Sequence, residues 1–146
     1  MLAPYSQQVI DHFAAPRNLG RLPDANGRGV SGDLRTGDVQ IEISLRVEGE
    51  RVAAARFRTF GCSVAIAASS VATTLIADRP VGEAAALSPA QITEALGGLP
   101  PERLYAPEMA AEAVHRAIAD WEQRAGKHVN NAATVSPEDL GKGAPA

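Results

Sequence analysis

Val39-Gln40-Ile41-Glu42-Ile43-Ser44-Leu45-Arg46-Val47 is the stretch on which the fold turns. Apolar Val39, Ile41, Ile43, Leu45 and Val47 alternate with polar Gln40, Glu42, Ser44 and Arg46. A period of two belongs to an extended strand, which sends successive side chains to opposite faces. The spacing therefore predicts a strand with one face on a core and the other toward solvent. Glu48-Gly49-Glu50 supplies a turn, and Val52 to Phe60 reads as a second strand, so the two form an antiparallel hairpin. Ala53 to Ala55 weaken the second strand, whereas Phe57 and Phe60 support it.

Downstream, Gly61 breaks the strand and Cys62-Ser63 follows. Ala68, Val71, Ala72, Leu75 and Ile76 then fall at helical spacing, up to a stop at Asp78–Pro80. One or two helical turns fit residues 81–87. Ser88-Pro89 opens a short helix to about Leu96, with serine as cap and proline at the first position. After the Gly97–Pro101 loop, Pro107 is expected to start the last helix. Its stripe is Met109, Ala113, Val114, Ala117, Ile118 and Trp121, and Gly126 ends it. Upstream, residues 5–14 read as a helix capped by Ser6 and stopped by Pro16. Glycines 20, 27, 29, 32 and 37 mark residues 17–37 as loop or irregular edge strand. The expected fold class is α+β, a small antiparallel sheet packed against helices on one face. It forms one domain over residues 1–126, and the polar, aperiodic residues 127–146 read as a disordered tail.

Bulk properties narrow the function. The chain has 146 residues, 45% of them hydrophobic and 4% aromatic, so the core must rest on Val, Ile, Leu and Ala. A formal net charge of −3 gives neither the basic footprint of a nucleic-acid binder nor a polybasic membrane patch. No apolar run reaches the roughly 18 residues of a membrane span, and Met1 to Ile10 lacks the pattern of a secretory signal. A cytoplasmic location is expected. The single cysteine cannot form an intrachain disulfide, in keeping with a reducing compartment.

Cys62 is the leading chemical candidate. It lies between a strand end and a helix start, where the helix N-terminus stabilises a thiolate, the form that attacks electrophiles and binds metals. The competing reading is a buried small hydrophobe. Asp38, at a loop-to-strand junction, is either a ligand for iron or zinc or a turn residue, and local chemistry favours the turn. His12, His115 and His128 share no ligand spacing and read as surface residues. Arg56 and Arg58 read as the solvated face of a strand. No phosphate loop, dinucleotide fingerprint, serine elbow or zinc motif is present, so the chain is not expected to be an enzyme.

A series of short segments, in order and with near-constant spacing from residue 5 to 124, resembles the U-type iron–sulfur cluster assembly scaffolds (IscU and the N-terminal domain of NifU). The series begins with Tyr5-Ser6, Val9-Ile10-Asp11-His12 and Pro16-Arg17-Asn18-Leu19-Gly20, followed by Gly37-Asp38. It continues through Arg56-Phe57, Thr59-Phe60-Gly61-Cys62, Ala65-Ile66-Ala67 and Ser69-Ser70 to Leu99-Pro100-Pro101 and Ala117-Ile118-Ala119-Asp120-Trp121. The resemblance implies an IscU/SufE-like fold, a [2Fe–2S] cluster built and passed on, and sulfur received from a cysteine desulfurase. Cluster-accepting proteins and an Hsp70-type chaperone at Leu99-Pro100-Pro101 would be further partners, although Glu102-Arg103 stands where the family has Val-Lys. In the family, three cysteines, an aspartate and a histidine from three loops hold the cluster. Here Cys62 and Asp38 keep their places, but Thr36 and Ala106 stand at the other cysteine positions and Tyr105 at the histidine. Two donors fall short of the four terminal ligands of a two-iron cluster, so a single chain is not expected to hold one. A homodimer would supply two of each donor, and zinc or iron alone is another cargo. Two further readings follow: a single-cysteine persulfide acceptor of the SufE type, and an interaction module without metal chemistry.

Overall fold

The computed structural model describes residues 5–35 and 37–126. The alternating stretch forms β2 (Gln40–Glu48), between β1 (Gly27–Ser31) and β3 (Arg51–Phe60) in an antiparallel sheet of order β1-β2-β3. Gly49 and Glu50, with φ of 56° and 65°, make the two-residue hairpin turn whose twist matches the strands. Five α-helices are described: α1 (Gln7–Ala14), α2 (Ser63–Ile76), α3 (Val81–Ala85), α4 (Pro89–Ala95) and α5 (Tyr105–Ala125). Ser6 caps α1 through Val9 N–H, and Ser88 with Gln91 forms a reciprocal capping box on α4.

Ile41, Ile43 and Leu45 are fully buried on the inner face of β2, beneath α5, while α2 packs on the neighbouring β3. Phe57 on β3 joins them with no exposed surface, a burial that contributes about 1.5–3 kcal/mol. The glycine-rich segment expected to be loop or irregular edge contains a regular edge strand. Gly27 and Gly29 lie in register with Leu45 and Ile43 and face α5. A Cβ on Gly27 would stand 2.6 Å from the Ala117 carbonyl oxygen. These glycines let a helix lie directly on a strand.

Two expectations are corrected. Glu42 and Ser44 should have faced solvent, yet they are 8% and 1% exposed. The segment leading into β1 crosses the outer face, where Leu22 N–H donates to Ser44 Oγ at 3.2 Å. The last helix starts at Tyr105, two residues before Pro107. Proline is tolerated in the first turn because amides there have no intrahelical acceptor. Gly126 ends the helix in the left-handed conformation, with φ 68°. The expected tail, 127–146, lies outside the described residues.

Glu42 is held by Arg21 at 2.8 Å, Arg58 at 3.0 Å and Arg28 at 3.4 Å. Burial pushes its carboxyl up, but hydrogen bonds and charge from Arg21 and Arg58 outweigh burial and leave it below the ordinary 4.5. A depressed carboxylate stabilises the fold above its unfolded pKa and loses that contribution as pH falls through the folded value. Glu42→Gln should therefore cost about 1–2 kcal/mol near neutral pH, since the half-exposed arginines are screened by water. The cost should shrink well below pH 4.5. Urea midpoints of both proteins at neutral and strongly acidic pH check this. An equal gap at both would remove Glu42 as the source.

Candidate functional site

The site is built where β3 ends. Gly61 has φ 129°, and a Cβ there would stand 2.9 Å from both the Asp38 carbonyl oxygen and Val39 Cγ2. Only glycine lets the loop around Asp38 lie against the turn that carries Cys62. Cys62 is the N-cap residue of α2, but its side chain makes no capping hydrogen bond. Its sulfur instead lies 2.8 Å from Tyr105 Oη, at the first position of α5. The segments bearing Asp38, Cys62 and Tyr105 thus meet at one end of the sheet. Asp38 is exposed and Cys62 half-buried. Thr36 lies outside the described residues.

Tyr105 is pushed up to about 12 from 10.0, first by burial and then by the hydrogen bond and charge of Cys62; Arg103 pulls weakly the other way. At neutral pH the phenol keeps its proton and can donate to an ionised sulfur. Arg103 itself donates from Nε to Tyr5 Oη at 2.8 Å, which raises its guanidinium above the ordinary value, with smaller contributions from the ionised forms of Tyr105 and Cys62. Ultraviolet titration should show one phenol ionising near 12, and Cys62→Ala should move it back toward 10.0. The return should be incomplete, because burial persists. No movement would mean that the sulfur does not act on Tyr105. Raised ionisation of an acid also costs folded-state stability as pH climbs past the unfolded value, since only the unfolded chain then sheds the proton.

Ala106 is fully buried and offers no donor atom. Among the described residues, no three His, Cys, Asp or Glu side chains come together as a metal-binding group. Two histidines expected at the surface are structural. His12 Nδ1 is 2.7 Å from Ser70 Oγ, tying α1 to α2, and His115 Nε2 is 2.7 Å from the Leu87 carbonyl. Both reach a packed neighbour because their helices lie against it. His128 lies outside the described residues. Arg56 and Arg58 are exposed on the outer face of β3, as expected. Leu99 and Pro100 are half-buried, and Pro101 is exposed at the start of a short 3₁₀ turn to Arg103. Sequence reasoning missed Arg103 and Tyr5, whose proximity to Tyr105 arises only on folding. Their one signal was that Tyr5 opens the resembling series and Arg103 follows its Leu99-Pro100-Pro101 segment.

Three comparisons bear on the site. The model of the NifU-like N terminal domain matches residues 4–139. The iron–sulfur cluster assembly scaffold protein IscU 1 of Archaeoglobus fulgidus is 41% identical over 123 residues, covering 84% of this chain and 80% of the relative. The IscU scaffold of Aquifex aeolicus is 40% identical over 124 residues, covering 84% and 79%. Among solved structures, the N-terminal part of a nitrogen-fixing NifU-like protein from Brucella abortus superposes with a TM-score of 0.60. It shares 12% identity, with 81% of this chain and 94% of that one covered, a likeness of fold alone. Among the described residues, no helix is long and apolar enough to cross a membrane.

Proposed function

Because this chain belongs to the NifU-like N-terminal domain family, we propose that it serves iron–sulfur cluster assembly as a scaffold whose cargo is completed between two copies. Similarity to IscU scaffolds over 84% of the chain favours this reading over a single-cysteine acceptor or a bare interaction module. The observation that carries it is the half-buried Cys62 sulfur, turned away from capping α2 and toward the meeting point of three segments. A thiolate there suits iron and bridging sulfide. One chain does not fit a two-iron cargo, because Cys62 and Asp38 are two donors where four are required. Two-fold symmetry doubles them.

Sulfur enters by exchange with a donor such as a cysteine desulfurase. The Cys62 thiolate attacks the terminal sulfur of a donor persulfide. The donor S–S bond breaks with its electron pair leaving on the donor thiolate, and Cys62 then carries S–SH. Tyr105 Oη holds the sulfur by hydrogen bond and Arg103 adds positive charge nearby. The protein carries cargo and is not itself a catalyst. Anaerobic incubation with iron and sulfide, followed by size-exclusion chromatography, tests the reading. Visible absorbance should travel with the dimer, at one cluster per two chains. A stoichiometrically loaded monomer would overturn it.

A further inference from the structure

The outer face of the sheet, away from α2 and α5, carries an arrangement of charge that cluster chemistry leaves unused. Arg28, Ser44 and Arg56 lie side by side across the three strands, and Val30, Glu42 and Arg58 form the next row. Arg21 reaches the same face and bonds Glu42. Three guanidiniums, those of Arg21, Arg28 and Arg58, therefore share the Glu42 carboxylate, and a fourth, that of Arg56, lies on the same face, in a chain whose net charge is −3. Glu42 fixes three of them, and the Arg56 side chain makes no ion pair among the described residues. Beside them, Val30 is 36% and Phe60 49% exposed. Preorganised arginines next to exposed apolar side chains are the mixture that protein interfaces favour. A nucleic-acid site would call instead for a basic domain.

We propose that this face docks a protein partner through a carboxylate-rich surface. The charges are complementary: among the described residues these four guanidiniums share one carboxylate, Glu42, and a guanidinium can take a bidentate pair from a partner's carboxylate. Phe60 continues the row of Arg56 and Arg58 toward the turn at Gly61 that ends β3. The proposal needs neither iron nor Cys62, and it fails or stands separately from cluster assembly.

The test is a nuclear magnetic resonance titration of isotope-labelled protein. The probes are a short peptide of alternating glutamate and leucine, its glutamine counterpart and a short DNA duplex. The acidic peptide should shift the Arg21, Arg28, Arg56 and Arg58 signals saturably and more weakly as salt rises. Arg56→Glu should weaken binding about tenfold, whereas Arg124→Gln on α5 should leave it unchanged. Arg56 is exposed and free of ion pairs, so the rest of its variant's spectrum should stay in place; Arg56→Gln serves if it does not. Shifts located elsewhere, equal binding of the glutamine peptide, indifference to loss of Arg56, or tighter binding of the duplex would each overturn the proposal.

Discussion

Gly29→Ala should unfold the protein or bring it close to unfolding. The new Cβ would overlap the Ala113 carbonyl oxygen and the Ala117 nitrogen, both backbone atoms of α5. No rotamer relieves a clash between a Cβ and a helix backbone, so α5 and β1 would have to separate. That separation opens the core around Ile43, Val114 and Ile118, all almost fully buried. Overpacking of this kind costs about 3 kcal/mol or more, against a total stability of about 5–15 kcal/mol for a domain. Gly82→Ala is the matched control. It sits in α3 with nothing within 4 Å of the built Cβ, and alanine is the better helix former by up to about 1 kcal/mol. Urea midpoints should fall steeply for Gly29→Ala and hold or rise for Gly82→Ala. A midpoint unchanged in the first variant would mean that α5 does not rest on β1 as described.

Cys62→Ala should abolish loading of iron and sulfide altogether. It removes the sole sulfur ligand in a chain with one cysteine, and neither the Asp38 carboxylate nor the Tyr105 phenol replaces a soft donor. The fold should survive, because Cys62 is half-buried and its side chain does not cap α2. The complementary experiment adds donors. Thr36→Cys together with Tyr105→His brings one chain to four, and the histidine would start from a position whose present side chain already touches Cys62 sulfur. In that double variant the absorbance should move from the dimer to the monomer fraction. Colour persisting in Cys62→Ala would remove the sulfur from the account. A double variant still loaded only as a dimer would show that donor number does not set the assembly.

The hairpin, both capped short helices and the helix following Cys62 were legible because each rests on local chemistry: alternation, a serine cap, proline at a first turn. Cys62 and Asp38 were legible as candidates for the same reason, together with the resembling segments around them. Less legible was anything that depends on a neighbour distant in sequence. Gly27 and Gly29 looked like loop residues because the α5 backbone that requires them lies far along the chain. Glu42 and Ser44 followed the polar half of the alternation, and only the crossing segment buries them. His12 and His115 lacked ligand spacing, which said nothing of the Ser70 hydroxyl and Leu87 carbonyl they meet.

By itself, then, the sequence determined the α+β class, the hairpin and a lone thiol at a helix start, since backbone period and capping act within a few residues. Tertiary structure alone decided that Tyr105 faces the sulfur, that glycines seat α5 on the sheet, and that arginines gather on its outer face. Those placements come from packing between segments tens of residues apart, where no local periodicity records the partner.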